Sequence, residues 1–427
     1  MTEKHERFAA IRPHFAGTNR GPYCDVAARG LMFSASRAAL ERHLEDASEG
    51  TIDKSALFRQ VGKTRALLAS LIGSAPESIA YTRNVTDGVA TFAASLDWRR
   101  GDSVVLCEEL EHPANIYPWY GVSRKFGIRV KNVPQSGGAI PISCILEAID
   151  PSCRVVAVSS VSFAPGFRFP VAELAIECRK RGVLLVVDAA QSIGVIETDV
   201  AAWDVDALVM STQKGLMSLY GMGFLYVRPE LAETMKPIFL SRFGVAHDGH
   251  EASLGDPASA RYARGAHRFD VGNFNFPVAI TVAPAIELLL DLGLRTVQDY
   301  VFGIANYFAN RMLDIGLPVY GGRPAAHSSH IVAVGHQLGY DHDAARDLEM
   351  AKLYEHLTAH GVRLSIRRDL LRFSFHLYNN TDDVDEVVRL SEEWLRQQQA
   401  RETRVRPARC LTFAGQGATH DSDDNAG

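Results

Sequence analysis

The run Val183 to Val187, "VLLVV", sets five apolar residues in succession and ends on Asp188, and "ALVMS" at Ala207 to Ser211 and "CRVVAVSS" at Cys153 to Ser160 are built the same way. A strand with one face in water alternates apolar and polar residues, so a run without that alternation has to be covered on both faces. Helix-length segments separate these runs, as in "ANIYPWYGVSRKFG" at 114–127 and "PVAELAIECRKRG" at 170–182. Such an order predicts an α/β fold, a mainly parallel sheet sandwiched by helices. Gly223 to Val227 follows Leu208 to Met210 too closely for a crossover helix, so that strand is expected to run antiparallel.

The rest of the chain divides around this sheet. After an irregular start, Ser36 to Leu71 has the spacing of one or two helices with a break at Gly50, and helical periodicity returns from Val278 to Leu292. A long helix from Thr296 to about Ile315 leads into a smaller α+β domain. That domain holds the strand "HIVAVG", a helix near Ala344 to His360, a strand pair in "VRLSIRRDLLRFSFHL" and a last helix from Val384 to Gln399. The expected boundaries are an N-terminal segment 1–35 that contributes to the substrate site, a large domain 36–295, a small domain 296–399 and a disordered tail 400–427, which has little to bury.

Composition narrows the function. With 427 residues and 47% hydrophobic content the chain builds its core without a disulfide or metal staple. Lys plus Arg is 45 against 50 for Asp plus Glu, both signs are scattered, and no basic stripe offers itself to nucleic acid. No apolar run approaches the roughly 20 residues of a membrane helix, and "MTEKHERFAAIRPHF" is charged where a secretory leader is apolar. The six cysteines show no close pair of the metal-ligand kind; they read as reduced thiols of a cytoplasmic protein, with no metal site.

In an open parallel sheet, ligands bind beyond the carboxyl ends of the strands. Four such ends carry unusual polar groups: "RNVTDG" at Arg83 to Gly88, "EHPAN" at Glu111 to Asn115, "DAAQ" at Asp188 to Gln191 and "STQK" at Ser211 to Lys214. Each has a plain reading as well. Asp188 suits a helix cap, and Lys214 suits a lysine whose stem lies on apolar surface while its head reaches water. Taken together the two point to pyridoxal 5'-phosphate. Its pyridine nitrogen needs a carboxylate, its aldehyde an amine, and its phosphate the amides of a helix N-terminus and hydroxyls.

The motifs "EHPANIYPW", "VVDAAQS", "STQKG", "RFDVGNFN" and "RFSFHLYNNTDDVDEVV", in that order, resemble the class V (fold type I) aminotransferases over about Asp25 to Leu395. The resemblance is to the group holding the SufS-type cysteine desulfurases and the isopenicillin N epimerase-like proteins. It implies a seven-stranded sheet, and catalytic roles for Lys214, His112 and Asp188. Lys214 resembles the Schiff-base lysine and proton shuttle, Asp188 the pyridinium partner, Gln191 the donor to the ring hydroxyl and His112 the imidazole stacked on the ring. Thr86, Ser211 and Gln213 match phosphate positions, with Val85 beside them among the cofactor-binding residues; Gln213 stands where the family often has His. Arg372 matches the arginine that grips the α-carboxylate of an amino-acid substrate with two parallel hydrogen bonds, and Ala28 belongs to the N-terminal substrate loop. Asn273 occupies the place from which family members reach the partner's phosphate, which implies a homodimer with shared sites.

Two departures from the family pattern bear on the reaction. A cysteine desulfurase needs a nucleophilic thiolate just before the Arg372 strand, yet "GVRLSIRRDLLRFSF" has no cysteine, and Cys410 comes after the small domain. Phe163 stands where desulfurases place an asparagine, and "SVSFAPGFR" resembles the epimerase-like branch instead. The expected activity is that of a carbon–sulfur lyase, eliminating the β-substituent of a cysteine S-conjugate without a persulfide. An aminotransferase, an epimerase or decarboxylating oxidative deaminase, and a cofactor-binding protein without turnover stay open beside it.

Overall fold

The computed structural model describes residues 3–246, 257–339 and 346–405. Its centre is a seven-stranded sheet: β1 Ile79–Thr82, β2 Ser103–Leu106, β3 Arg129–Asn132, β4 Cys153–Ser159, β5 Leu184–Asp188, β6 Ala207–Ser211 and β7 Gly223–Val227. Across the sheet the order is β1-β7-β6-β5-β4-β2-β3. Only β7 runs against its neighbours, pairing antiparallel with β6 (Ala207 with Val227) and with β1 (Ile79 with Tyr226).

The unbroken apolar runs are explained by where each side points. Successive residues of a strand face opposite ways. Leu208 and Met210 of β6 join Val156, Leu185 and Phe224 in a core closed by Val61, Leu68, Val278 and Val282. Ala207 and Val209 join Val104, Val155, Val186 and Leu225 on the other face, closed by Val89, Phe92 and Trp119. Edge strand β3 is the exception. It carries Arg129 and Lys131 and is partly exposed throughout, which is why no apolar run announces it.

The predicted helical stretch before β1 is two helices, Ser34–Glu49 and Lys54–Leu71. Gly50 stops the first in the left-handed region at φ 71°, a conformation glycine adopts without a Cβ clash, and Asp53 starts the second by accepting the Ser55 N–H. On the far side, helices Phe276–Leu292 and Leu294–Asp314 lead into the small domain. Its sheet is β8 Ile331–Val334, β9 Ser365–Arg367 and β10 Leu370–Ser374, with β10 in the middle and both pairings antiparallel. Helices Leu348–Ala359 and Thr381–Val405 complete it. The last helix runs on to Val405, past Ala400 where a disordered tail was expected to begin. Residues from 406 on, with Cys410, lie outside the described residues, as do positions 340–345, where a helix was expected to begin.

The start of the chain is not irregular but opens on helix Glu3–Ile11. Phe8, 1% exposed, stacks on Tyr300 with ring centroids 3.9 Å apart, and Arg12 pairs with Asp383 at 2.7 Å. Those partners lie about 290 and 371 residues further along the chain, so no local periodicity reveals them. The segment then crosses to β10, where Asp25 bridges to Ser374. Among the described residues, no single helix is long and apolar enough to cross a membrane.

Candidate active site

Loops leaving the carboxyl ends of five strands converge on one cavity. After β1, Asn84 caps helix Val85–Ala94 by accepting the Asp87 N–H at 2.9 Å, and the helix opens on the cavity through Val85 and Thr86. After β2 comes His112, whose Nδ1 accepts the Ala114 N–H at 3.1 Å, placing the imidazole proton on Nε2. Its ring meets that of Phe163, from the loop after β4, edge to face at 5.4 Å. β5 delivers Asp188 and Gln191, and β6 delivers Ser211, Gln213 and Lys214. Eight of the eleven sequence-assigned residues therefore line one cavity: Val85, Thr86, His112, Asp188, Gln191, Ser211, Gln213 and Lys214.

The lysine loop is held by close backbone contacts. A Cβ on Gly215 would collide with the Ile193 carbonyl oxygen, and one on Gly30 with the Lys214 carbonyl oxygen. Only glycine permits that approach. Gly30 N–H also donates to the Gln213 carbonyl at 2.8 Å, so the N-terminal segment braces the lysine from outside the sheet. From the small domain, His376 Nδ1 accepts the Leu377 N–H and its Nε2 donates to the Gly215 carbonyl at 2.9 Å. Burial holds His376 down to about 4, so its ring stays neutral.

Charge in the cavity is set by burial against a few partners. Burial pushes the Asp188 carboxyl up, while the Ala190 N–H, at 2.8 Å, and the Lys214 amine pull it back. Burial lowers the Lys214 amine to about 8; Asp188 opposes that, and the charges of Arg372 and Arg367 add to it. Gln191 Oε1 and Ser211 Oγ are buried without a hydrogen-bond partner. Unsatisfied buried polar atoms are costly, and here they stand on the wall of a cavity that already presents a carboxylate, an amine and a helix N-terminus. That donor set fits pyridoxal 5'-phosphate.

The other three assigned residues lie outside the cavity wall. Arg372, 2% exposed on β10, gives its Nη1 to the Phe163 carbonyl at 3.0 Å and its Nε to Ser365 Oγ at 3.1 Å, with Nη2 3.7 Å from Asp25 Oδ1. Ala28 sits one residue beyond Ala27, whose carbonyl takes the Gln191 amide at 3.1 Å. Asn273 is exposed, with φ 41° in the turn before helix Phe276–Leu292. Sequence reasoning gave no part to Ser159, Glu111 or His376. The first ends an apolar strand and the second precedes His112, so position was the available signal; nothing local marks His376.

Among the described residues, no cysteine lines the cavity. Cys24, Cys107, Cys153 and Cys178 are buried, and burial pushes their thiols up, Cys107 and Cys178 to about 12 and Cys153 to about 11. Among the described residues, no group of three or more His, Cys, Asp or Glu could hold a metal ion.

A mostly parallel seven-stranded sheet in this order, with lysine and aspartate facing each other beyond its carboxyl edge, defines a pyridoxal-phosphate enzyme of fold type I. The chain belongs to the aminotransferase class-V family, whose model matches residues 21–387, and its cofactor is pyridoxal 5'-phosphate. A probable cysteine desulfurase of Chlamydia muridarum is 29% identical over 89% of this chain and 94% of its own. The uncharacterized aminotransferase YcbU of Bacillus subtilis is 27% identical over 84% and 92%. The apo structure of a cysteine desulfurase from Thermococcus onnurineus superposes with a TM-score of 0.80 at 23% identity, covering 91% of this chain and 98% of that one. A cystine C-S lyase in complex with cysteine persulfide gives 0.77 at 20% identity over 88% and 99%.

Proposed function

We propose that the enzyme is a carbon–sulfur lyase that eliminates the sulfur substituent of a cysteine S-conjugate and forms no persulfide. One observation carries this reading: the cavity offers an amine lowered to about 8, suited to removing a Cα proton, and, among the described residues, no thiol to receive sulfur. When bound, the cofactor supplies an electron sink that acidifies the substrate Cα–H. Lys214 would take that proton, and Asp188 would keep the ring nitrogen protonated. Val85, Thr86, Ser211 and Gln213 would hold the phosphate, Gln191 the ring hydroxyl, and His112 would cover one ring face. Arg372 would receive the α-carboxylate in exchange for its contact with Asp25, near the loop of Ala28. The Phe163 side chain walls the cavity with apolar surface, which keeps water from the leaving thiolate.

The test is incubation with a cysteine S-conjugate in the absence of any oxo acid. Pyruvate, ammonia and the free thiol in equal amounts are expected; product only on adding an oxo acid marks an aminotransferase. Inversion at Cα, or loss of carbon dioxide, would instead support the epimerase-like reading that Phe163 favours.

The same proposal includes a homodimer working in the cytoplasm, where its free cysteines remain reduced. Phe239 is 69% and Val271 54% exposed, an apolar patch next to Asn273 that suits a second copy. Asn273 would then reach the partner's phosphate site. Mixing inactive Asn273→Ala and Lys214→Ala proteins should restore about a quarter of wild-type activity if subunits exchange into shared sites; a monomer by sedimentation refutes this part.

A further inference from the structure

Behind His112 the chain buries a second carboxylate that the cofactor contacts leave without a task. Glu111 is 2% exposed. Its Oε1 accepts the Ser159 N–H at 2.6 Å, and its Oε2 accepts the Ser159 hydroxyl at 2.5 Å and the Asn115 side-chain amide at 2.8 Å. The Trp119 indole donates to Asn115 in turn at 3.3 Å. Ser159 is the register partner of Asp188 on the neighbouring strand. Two buried acids thus share the cofactor end of the sheet with one serine between them, and the Asp188 charge is felt at Glu111. Like charges that close in a poorly solvated site cannot both ionise freely, so a proton added to the pair changes the field of the whole site.

We propose that Glu111 is a positioning residue that sets the charge behind the cofactor ring: it ties the His112 loop to β4 through Ser159 and places a second buried carboxylate beside the strand that carries Asp188. With Glu111 ionised, two negative charges favour a proton on the cofactor's nitrogens; with Glu111 protonated, one does. The titratable groups around it are His112 and Cys107 from its own loop, Asp188 from β5, and beyond that Lys214 from the loop after β6. Cys107 stays a thiol, and the groups that hydrogen-bond Glu111 are neutral.

This rests on the placement of the cofactor against Asp188 and Lys214 argued above. The test is a pH titration of the visible band of bound cofactor in the holoenzyme, without substrate. Glu111→Gln removes a negative charge at nearly constant shape, so the midpoint should fall by about half a pH unit or more, roughly threefold in proton affinity. Asn115→Ala leaves both carboxylates but removes a donor that favours ionised Glu111, so its midpoint should fall in the same direction by less. A structural role alone would alter stability and leave the midpoint in place. Unmoved midpoints in both variants, with the band lost in Lys214→Ala, overturn the proposal alone. A Lys214→Ala protein that keeps the wild-type band overturns the cofactor placement, and the proposal with it.

Discussion

Glu111 also makes the cofactor-free protein pH-sensitive in a way that can be worked out in advance. Burial pushes its carboxyl from the ordinary 4.5 up to about 7, against the pull of Ser159 and Asn115. A group whose pKa is raised on folding stabilises the fold below its unfolded pKa, and that stability is lost as pH rises through the folded value. For a shift of this size, linkage gives a loss of about 2–3 kcal/mol between about pH 5 and pH 8. Glu111→Gln removes the titration. Urea unfolding of cofactor-free wild-type and variant, each at both pH values, isolates the difference. The absolute stability of the variant includes altered contacts to Ser159 and Asn115; the change with pH does not. Wild-type and variant curves that run parallel across the window would refute the reasoning, because Glu111 would then titrate alike in both states.

Lys214 carries the opposite sign. Its amine is lowered from 10.5 to about 8, so cofactor-free wild-type should gain stability as pH rises from about 8 to about 10.5, and Lys214→Met should lose that rise in the same urea assay. Arg372→Lys keeps the charge but not the fork that serves Phe163, Ser365 and a carboxylate; KM for the amino acid should rise about tenfold or more while cofactor affinity, read by fluorescence, stays put. Gly30→Ala puts a Cβ on the Lys214 carbonyl, and an unfolding assay should show a loss of about 1–3 kcal/mol together with weaker cofactor binding.

The sequence made the sheet legible because burial on both faces leaves a mark that no other element leaves. β4, β5 and β6 follow from apolar runs, and Asp188, Gln191 and Ser211 to Lys214 stand where those runs end. Strand β3 went unseen because an edge strand needs no such run. Helix Glu3–Ile11 went unseen because its buried anchor, Phe8, finds Tyr300 in a different part of the chain. Arg372 was readable by residue type and motif, but its environment was not. That it lies beneath the cavity wall, engaged by a backbone carbonyl from the loop after β4, depends on how the small domain meets the large one. The same holds for His376, which touches the lysine loop from a strand end 161 residues on.

These contacts share a chemical feature with a mechanistic consequence. Gly30 reaches the Gln213 carbonyl, His376 the Gly215 carbonyl, Gln191 the Ala27 carbonyl and Arg372 the Phe163 carbonyl. In each case a donor from one part of the molecule finds main-chain oxygen in another, so the N-terminal segment, the large domain and the small domain are locked to one another at the lysine. Carbonyl acceptors fix position without adding charge, which leaves Asp188, Arg372 and Arg367 as the charges felt at the Lys214 amine. Any motion of the small domain that draws Arg372 toward a substrate must first strain or break its bond to Phe163. Arg372 and the cavity-lining Phe163 are therefore mechanically one unit, tied through the Phe163 carbonyl.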